Sequence, residues 1–289
     1  VLGLLFVVIF WAGNFTASKI ALAEIPPLPF TAVRFVLGSV ILWCIMVARE
    51  RRPLPPPGTI VPLIVLGLLG NTLYQLFFIH GLAITTATNS ALILAGMPTV
   101  VTVAAGFLGQ EQTSARERWG LGIATLGVVA VVRARGGAVH TPGEVRGDLL
   151  MVAAVFCWAA YTLGLRVLKG KMSALSLTTW TLITGTPGLV AAGIPGVLRQ
   201  DWGAVSRAGW VGLAYSIVLS LVAAYVLWNR GVEKLGPARA ALFSLLTPLV
   251  ATLIAMAILH ERPTPVHLMG GGLILAGVLL SRRLPRTVG

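Results

Sequence analysis

The chain has 289 residues, of which 56% are hydrophobic and 11% charged, and a mean hydropathy of +0.89; a soluble domain carries roughly 25% charge. Its net charge of +13 could suggest nucleic acid, but the Lys and Arg residues sit in short clusters between apolar runs, the pattern that orients a membrane protein. Composition therefore excludes a soluble fold and a nucleic-acid partner, and the two cysteines, Cys44 and Cys157, each inside an apolar run, exclude a disulfide framework.

Ten helix-length apolar segments follow one another at roughly 1–22, 28–48, 60–82, 86–108, 117–133, 148–167, 174–198, 208–232, 237–259 and 265–281. Runs of this size cross a bilayer as helices, because in lipid every backbone N–H and C=O needs a partner within the segment. The chain opens directly on an apolar run, with neither Met nor a basic leader. This reads as a trimmed terminus and a first span rather than a cleaved signal peptide.

On the first span Trp11, Asn14, Phe15 and Ser18 fall at i, i+3, i+4 and i+7, one face of a helix. The third span repeats this spacing with Asn71, Tyr74, Gln75 and Phe78. The sixth, 147 residues after the first, offers Trp158, Tyr161, Thr162 and Leu165. The eighth, 150 after the third, offers Leu221, Ala224, Tyr225 and Trp228. Trp11, Tyr74, Trp158 and Tyr225 lie near mid-span, which favours a lined central cavity over an interfacial aromatic belt or plain core filling. Pro98 and Pro248 sit within the fourth and ninth spans. They predict kinks, read either as tolerated bends or as hinges for alternating access. The fifth and tenth spans are short and Gly-rich, as suits close helix packing.

Residues 80–133 return as 230–283, identical at 13 of 54 positions, including Pro98/Pro248, Glu111/Glu261, Gly120/Gly270, Gly122/Gly272 and Gly127/Gly277. The expected fold is thus an all-α integral membrane protein of ten transmembrane helices in two five-helix repeats, 1–135 and 148–289, joined by a linker over 136–147. An odd number of spans per repeat forces the second to enter from the opposite side, an inverted repeat. Connections on the side of both termini carry 11 Lys and Arg against 5 on the other, which predicts cytoplasmic termini.

Buried charge is sparse. Arg34, several residues into the second span, and Lys19 and Arg166 near span ends read as snorkelling residues or structural partners of a carboxylate such as Glu24, rather than as substrate ligands. All nine Asp and Glu residues lie in loops or at span ends, so no proton-relay carboxylate is visible, and Glu111 and Glu261 read as braces. His80, His140, His260 and His267 show no metal spacing, and hydrolytic and nucleotide-binding motifs are missing. The expectation is a protein that is not an enzyme, with no catalytic residues, cofactor or metal.

The stretches Trp11–Lys19, Pro29–Phe35, Ala91 through Pro98 to Glu111 with Gly120 and Gly127, and Leu235 through Pro248 to Glu261 resemble the EamA-type drug/metabolite transporters over essentially the whole chain. That resemblance implies ten helices in a five-plus-five inverted repeat, cytoplasmic termini and a central substrate cavity. The aromatic lining is similar to that of the exporters of aromatic and other amino acids and of paraquat-type drugs. Arg34 departs from repeat symmetry, since its counterpart is Thr181.

The function expected is an inner-membrane, multi-pass exporter of aromatic or neutral amino acids and cationic drugs, working by alternating access and complete as a monomer in the lipid bilayer. Trp11, Tyr74, Phe78, Trp158, Tyr225 and Trp228 would stack on the substrate; Asn14, Asn71, Gln75, Tyr161 and Ser244 would hydrogen-bond its ends. A nucleotide-sugar or other metabolite carrier is the alternative, and an intramembrane enzyme a remoter one. Gradient-driven movement is expected, with a proton route through Lys19, His80 or an end-of-span Glu as the other option.

Overall fold

Apolar runs closed by Pro, Gly and charged residues become helices throughout a computed structural model that describes residues 2–51, 54–97, 100, 101, 104, 107, 115–133, 142–168, 170–235, 243 and 246–280. Every regular element among the described residues is helical. The helices used below are α1 (Leu2–Leu22), α2 (Pro27–Glu50), α3 (Ile60–Gly67), α4 (Tyr74–Ile84), α5 (Ala87–Ala95), α6 (Ala115–Arg133), α7 (Pro142–Gly164), α8 (Ala174–Arg199), α9 (Arg207–Tyr215), α10 (Ala224–Leu235), α11 (Thr247–Ile258) and α12 (Pro265–Leu280). Six helical stretches are long and apolar enough to cross a membrane, and 118–131, α11 and α12 are shorter apolar helices. Large apolar side chains such as Phe156, Leu198, Val211, Leu253 and Leu268 are exposed, a surface suited to lipid.

Local sequence sets the helix ends. α2 starts on prolines, whose missing N–H and fixed φ suit a first turn, and closes on Arg51 in the left-handed region, with its N–H bonded to the Val47 carbonyl. Thr86, Ser173 and Ser206 cap α5, α8 and α9 by accepting the N–H three residues on. Glu24, in the turn between α1 and α2, accepts from Ser206 Oγ at 2.6 Å and Ser206 N–H at 2.5 Å. These donors hold its pKa below the usual carboxylate range. A lowered folded pKa stabilises above the unfolded value and is lost as pH falls through the folded one. Protection factors of the amides at 202–209, taken relative to intrinsic exchange at each pH, should therefore fall only on acidification below about pH 4; protection that stays constant down to about pH 2 would sink this assignment.

Glycines let the helices approach closely. A Cβ on Gly127 would lie 2.6 Å from the Gly270 carbonyl oxygen, and one on Gly277 would lie 2.5 Å from the Gly120 oxygen and the Ala124 nitrogen. Across the α6–α12 crossing Gly127 thus faces Gly270 and Gly277 faces Gly120, each glycine meeting the repeat counterpart of the other's partner, whereas a Cβ on Gly122 or Gly272 would have nothing within 4 Å. Gly67 of α3 and Gly185 of α8 touch in the same way. Ser39 and Thr186, 147 apart, share a hydrogen bond of 2.9 Å where α2 meets α8.

Two stretches depart from α geometry: Leu68–Leu73 between α3 and α4, and Ser216–Ala223 between α9 and α10, both π-helical. They fall at corresponding places in the two halves. A π turn bonds i to i+5, shifts the phase of the face beyond it, and recurs at functional sites. This shift explains why Asn71 and Tyr74, predicted on one face, part company. Asn71 points to α8, where its Nδ2 donates to the Thr181 carbonyl at 2.9 Å, whereas Tyr74 points to the aromatic residues of α7. Pro248, predicted inside a span, instead occupies the first turn of α11, where its missing N–H leaves no gap. Pro98 and Ser244 lie outside the described residues.

Candidate functional site

Two aromatic groups form from the predicted stripes. Trp11 of α1 meets α10, with its ring 6.2 Å from Tyr225, edge-on, and 5.2 Å from Trp228. Tyr74 of α4 lies 5.8 Å from Phe78 and 5.0 Å from Trp158 of α7, which in turn lies 5.1 Å from Tyr161. Phe15 joins this group through Phe78 at 6.0 Å. Each such ring pair contributes about 0.5–1.5 kcal/mol beyond its buried area. Trp11, Tyr74, Trp158, Tyr225 and Trp228 are each only partly buried, although Tyr74 and Tyr225 lie deep in the protein.

The polar candidates divide. Asn14 is buried, its Oδ1 accepting from Ser216 Oγ at 2.8 Å and Ser18 Oγ at 3.3 Å. Asn71 is held by α8 as described, and the Tyr161 hydroxyl lies 3.4 Å from Thr181 Oγ1. These three brace helices. Gln75 is buried with no partner for its amide nitrogen, and among the described residues the Tyr74 and Tyr225 hydroxyls have none either. These groups can still bind something.

Arg34 overturns its sequence reading. It neither snorkels nor pairs with Glu24, which is engaged by Ser206. It is 5% exposed, its Nε donates to the Ser216 carbonyl at 3.3 Å, and its guanidinium carbon lies 5.8 Å from the Phe35 ring centre. One available signal was depth: Arg34 is the eighth residue of α2, about 10 Å along the axis at 1.5 Å per residue. The Trp11 Nε1 donates to the Ser220 carbonyl at 3.3 Å, so both Trp11 and Arg34 hang on carbonyls of the second π stretch. Nothing in the apolar run that forms this stretch announced it.

The EamA-like transporter family matches residues 1–133 and 145–283. The chain belongs to that family. Over 96% of its length it is 26% identical to the uncharacterized transporter YyaM of Bacillus subtilis, covering 92% of that protein. It is 28% identical to a probable terminal-alkyne amino-acid exporter of Streptantibioticus cattleyicolor, with 99% and 93% covered. It is 25% identical to a probable amino-acid metabolite efflux pump of Escherichia coli, with 96% and 92% covered. A solved crystal structure shares the fold at a TM-score of 0.65 and 18% identity, over 96% of this chain and 94% of that one.

In this EamA-like transporter a second polar cluster lies at the ends of the helices remote from the amino terminus. Lys19 Nζ donates to the carbonyls of Leu82 at 2.9 Å, Ala83 at 3.3 Å and Thr85, which close the end of α4. Cations suit a helix carboxyl end. Asp148, wholly buried at the start of α7, accepts from the Thr85 hydroxyl and from Asn89 Nδ2 at 3.1 and 3.3 Å. Glu261 accepts the N–H groups of Ala87 and Thr88 at 2.8 and 3.0 Å, bracing the start of α5. Lys19 thus acts structurally, and α1, α4, α5, α7 and the segment before α12 are tied at one level. An apolar pocket between α5, α6 and α7, lined by Ile93, Val128, Val152 and Phe156 among others, shares no residue with either aromatic group.

Proposed function

We propose that this protein exports amino acids with aromatic or neutral hydrophobic side chains across the inner (plasma) membrane, by alternating access of two inverted five-helix repeats, 1–135 and 148–289, with both termini cytoplasmic. The observation that carries this reading is the pair of partly accessible aromatic groups, one on α1 and α10 and one on α4 and α7, within a transporter fold. Aromatic faces bind apolar side chains without demanding one shape. The names of the exporter and efflux-pump relatives agree with it. Pro98 and Pro248 are the proposed hinges, and the bound state needs only the monomer. A nucleotide-sugar carrier draws support only from Arg34, and a single guanidinium is a poor match for a diphosphate.

In proteoliposomes the purified protein should move labelled phenylalanine down its gradient. Trp158→Ala and Tyr74→Ala should each cut that flux at least about tenfold, the loss of roughly 1.4 kcal/mol of binding, while the detergent-solubilised protein keeps its elution profile. Undiminished flux in both variants would remove these residues from the substrate path.

A further inference from the structure

We infer that Arg34 anchors the substrate's carboxylate. The inference rests on the transport reading above and narrows it to substrates that carry an anionic group.

A guanidinium keeps its charge at any accessible pH and carries five donors in a planar fork. In Arg34 that group is buried inside a membrane-spanning helix. Nε is held by the Ser216 carbonyl, and Nη1 is buried with no partner. No carboxylate pairs with Arg34 among the described residues: Glu24 serves Ser206, and Asp148 and Glu261 serve the cluster around α5. An ionised group in a bilayer interior faces a partner or a water-filled cavity, and a buried cation whose counter-charge the protein does not supply is poised to take one from a ligand. The bond to Ser216 fixes the plane of the fork, which prepares it for the bidentate geometry that carboxylates favour. The Tyr74 and Tyr225 hydroxyls have no hydrogen-bond partner among the described residues, so each is free to donate to a ligand. Each tyrosine also belongs to one of the two aromatic groups, which places apolar surface for the rest of the substrate on either side. The same fixed charge repels cations. A cationic drug without a carboxylate therefore meets a barrier here, contrary to the broad range expected from sequence.

Competition in proteoliposomes tests this on the unaltered protein. Phenylpropionate, which keeps the carboxylate and lacks the amine, should inhibit phenylalanine flux; phenethylamine, which keeps the amine and lacks the carboxylate, should be at least tenfold weaker. Arg34→Gln should raise KM at least tenfold and erase the acid-over-amine preference, and Arg34→Lys should retain part of both. A merely structural arginine would change flux without changing that preference. Equal inhibition by both analogues, or an Arg34→Gln protein with KM and preference intact, would overturn the anchor while leaving amino-acid export standing. If phenylalanine does not move at all, export fails instead. Calorimetric binding of phenylpropionate against phenethylamine to the wild-type protein then decides the anchor by itself, whether or not Arg34→Gln folds.

Discussion

Gly277→Leu is expected to prevent α6 and α12 from docking and to lower the thermal midpoint of the detergent-solubilised protein more than any other single change considered. An added Cβ would sit 2.5 Å from the Gly120 oxygen and the Ala124 nitrogen, and both are backbone atoms that cannot swing aside. Overpacking usually costs about 1–3 kcal/mol; here the obstruction is main chain on both helices, so about 3 kcal/mol or more is expected. Gly127→Leu should behave alike, because its Cβ would meet Gly270 and Ile274 backbone atoms at 2.6 and 2.7 Å. Gly272 is the control. It is also matched in the repeat, yet nothing lies within 4 Å of its Cβ position, so Gly272→Leu should be nearly neutral. Equal midpoints for Gly277→Leu and Gly272→Leu would refute the α6–α12 contact.

The second large effect is expected at Asp148. Its carboxylate is fully buried and takes hydrogen bonds from the Thr85 hydroxyl and Asn89 Nδ2. Asp148→Ala strands both donors in a dry environment, and with hydrogen bonds to charged groups contributing about 1.5–3 kcal/mol each, a loss of about 3 kcal/mol or more follows. Asp148→Asn keeps the shape and an acceptor, so it should fall between. The local readout is exchange of the Thr85–Asn89 amides, which should accelerate in Asp148→Ala well before global unfolding. Protection of those amides at wild-type level would show that the carboxylate does not hold the α4–α5 turn.

The sequence disclosed what hydropathy and period can disclose. Apolar runs marked the helices because lipid solubility is a property of composition, and the repeated glycines at 120, 127, 270 and 277 pointed to close packing because only glycine tolerates such an approach. The aromatic residues of these helices form two ring clusters, one around Trp11, Tyr225 and Trp228 and one around Tyr74, Phe78, Trp158 and Tyr161. Individual polar roles were harder to see. Asn14 and Asn71 carry the same side chain as a ligand-binding amide would, and only neighbours from distant segments, Ser216 and Thr181, spend their hydrogen bonds on structure. Arg34 was misjudged for the complementary reason. Its depth along α2 was countable, but whether a carboxylate waited beside it depended on residues nearly two hundred positions away. The π stretches had no signal at all, since Leu-Leu-Gly-Asn-Thr-Leu and Ser-Ile-Val-Leu-Ser-Leu-Val-Ala would wind equally well as ordinary helix.

The second of those stretches gives the winding of one helix control over both Arg34 and Trp11. The Ser216 carbonyl aims Arg34 and the Ser220 carbonyl, one turn on, aims Trp11. Rewinding this stretch to α geometry would move both oxygens together, so cation and indole turn as a pair, and helix register and the proposed grip on a ligand become a single coordinate.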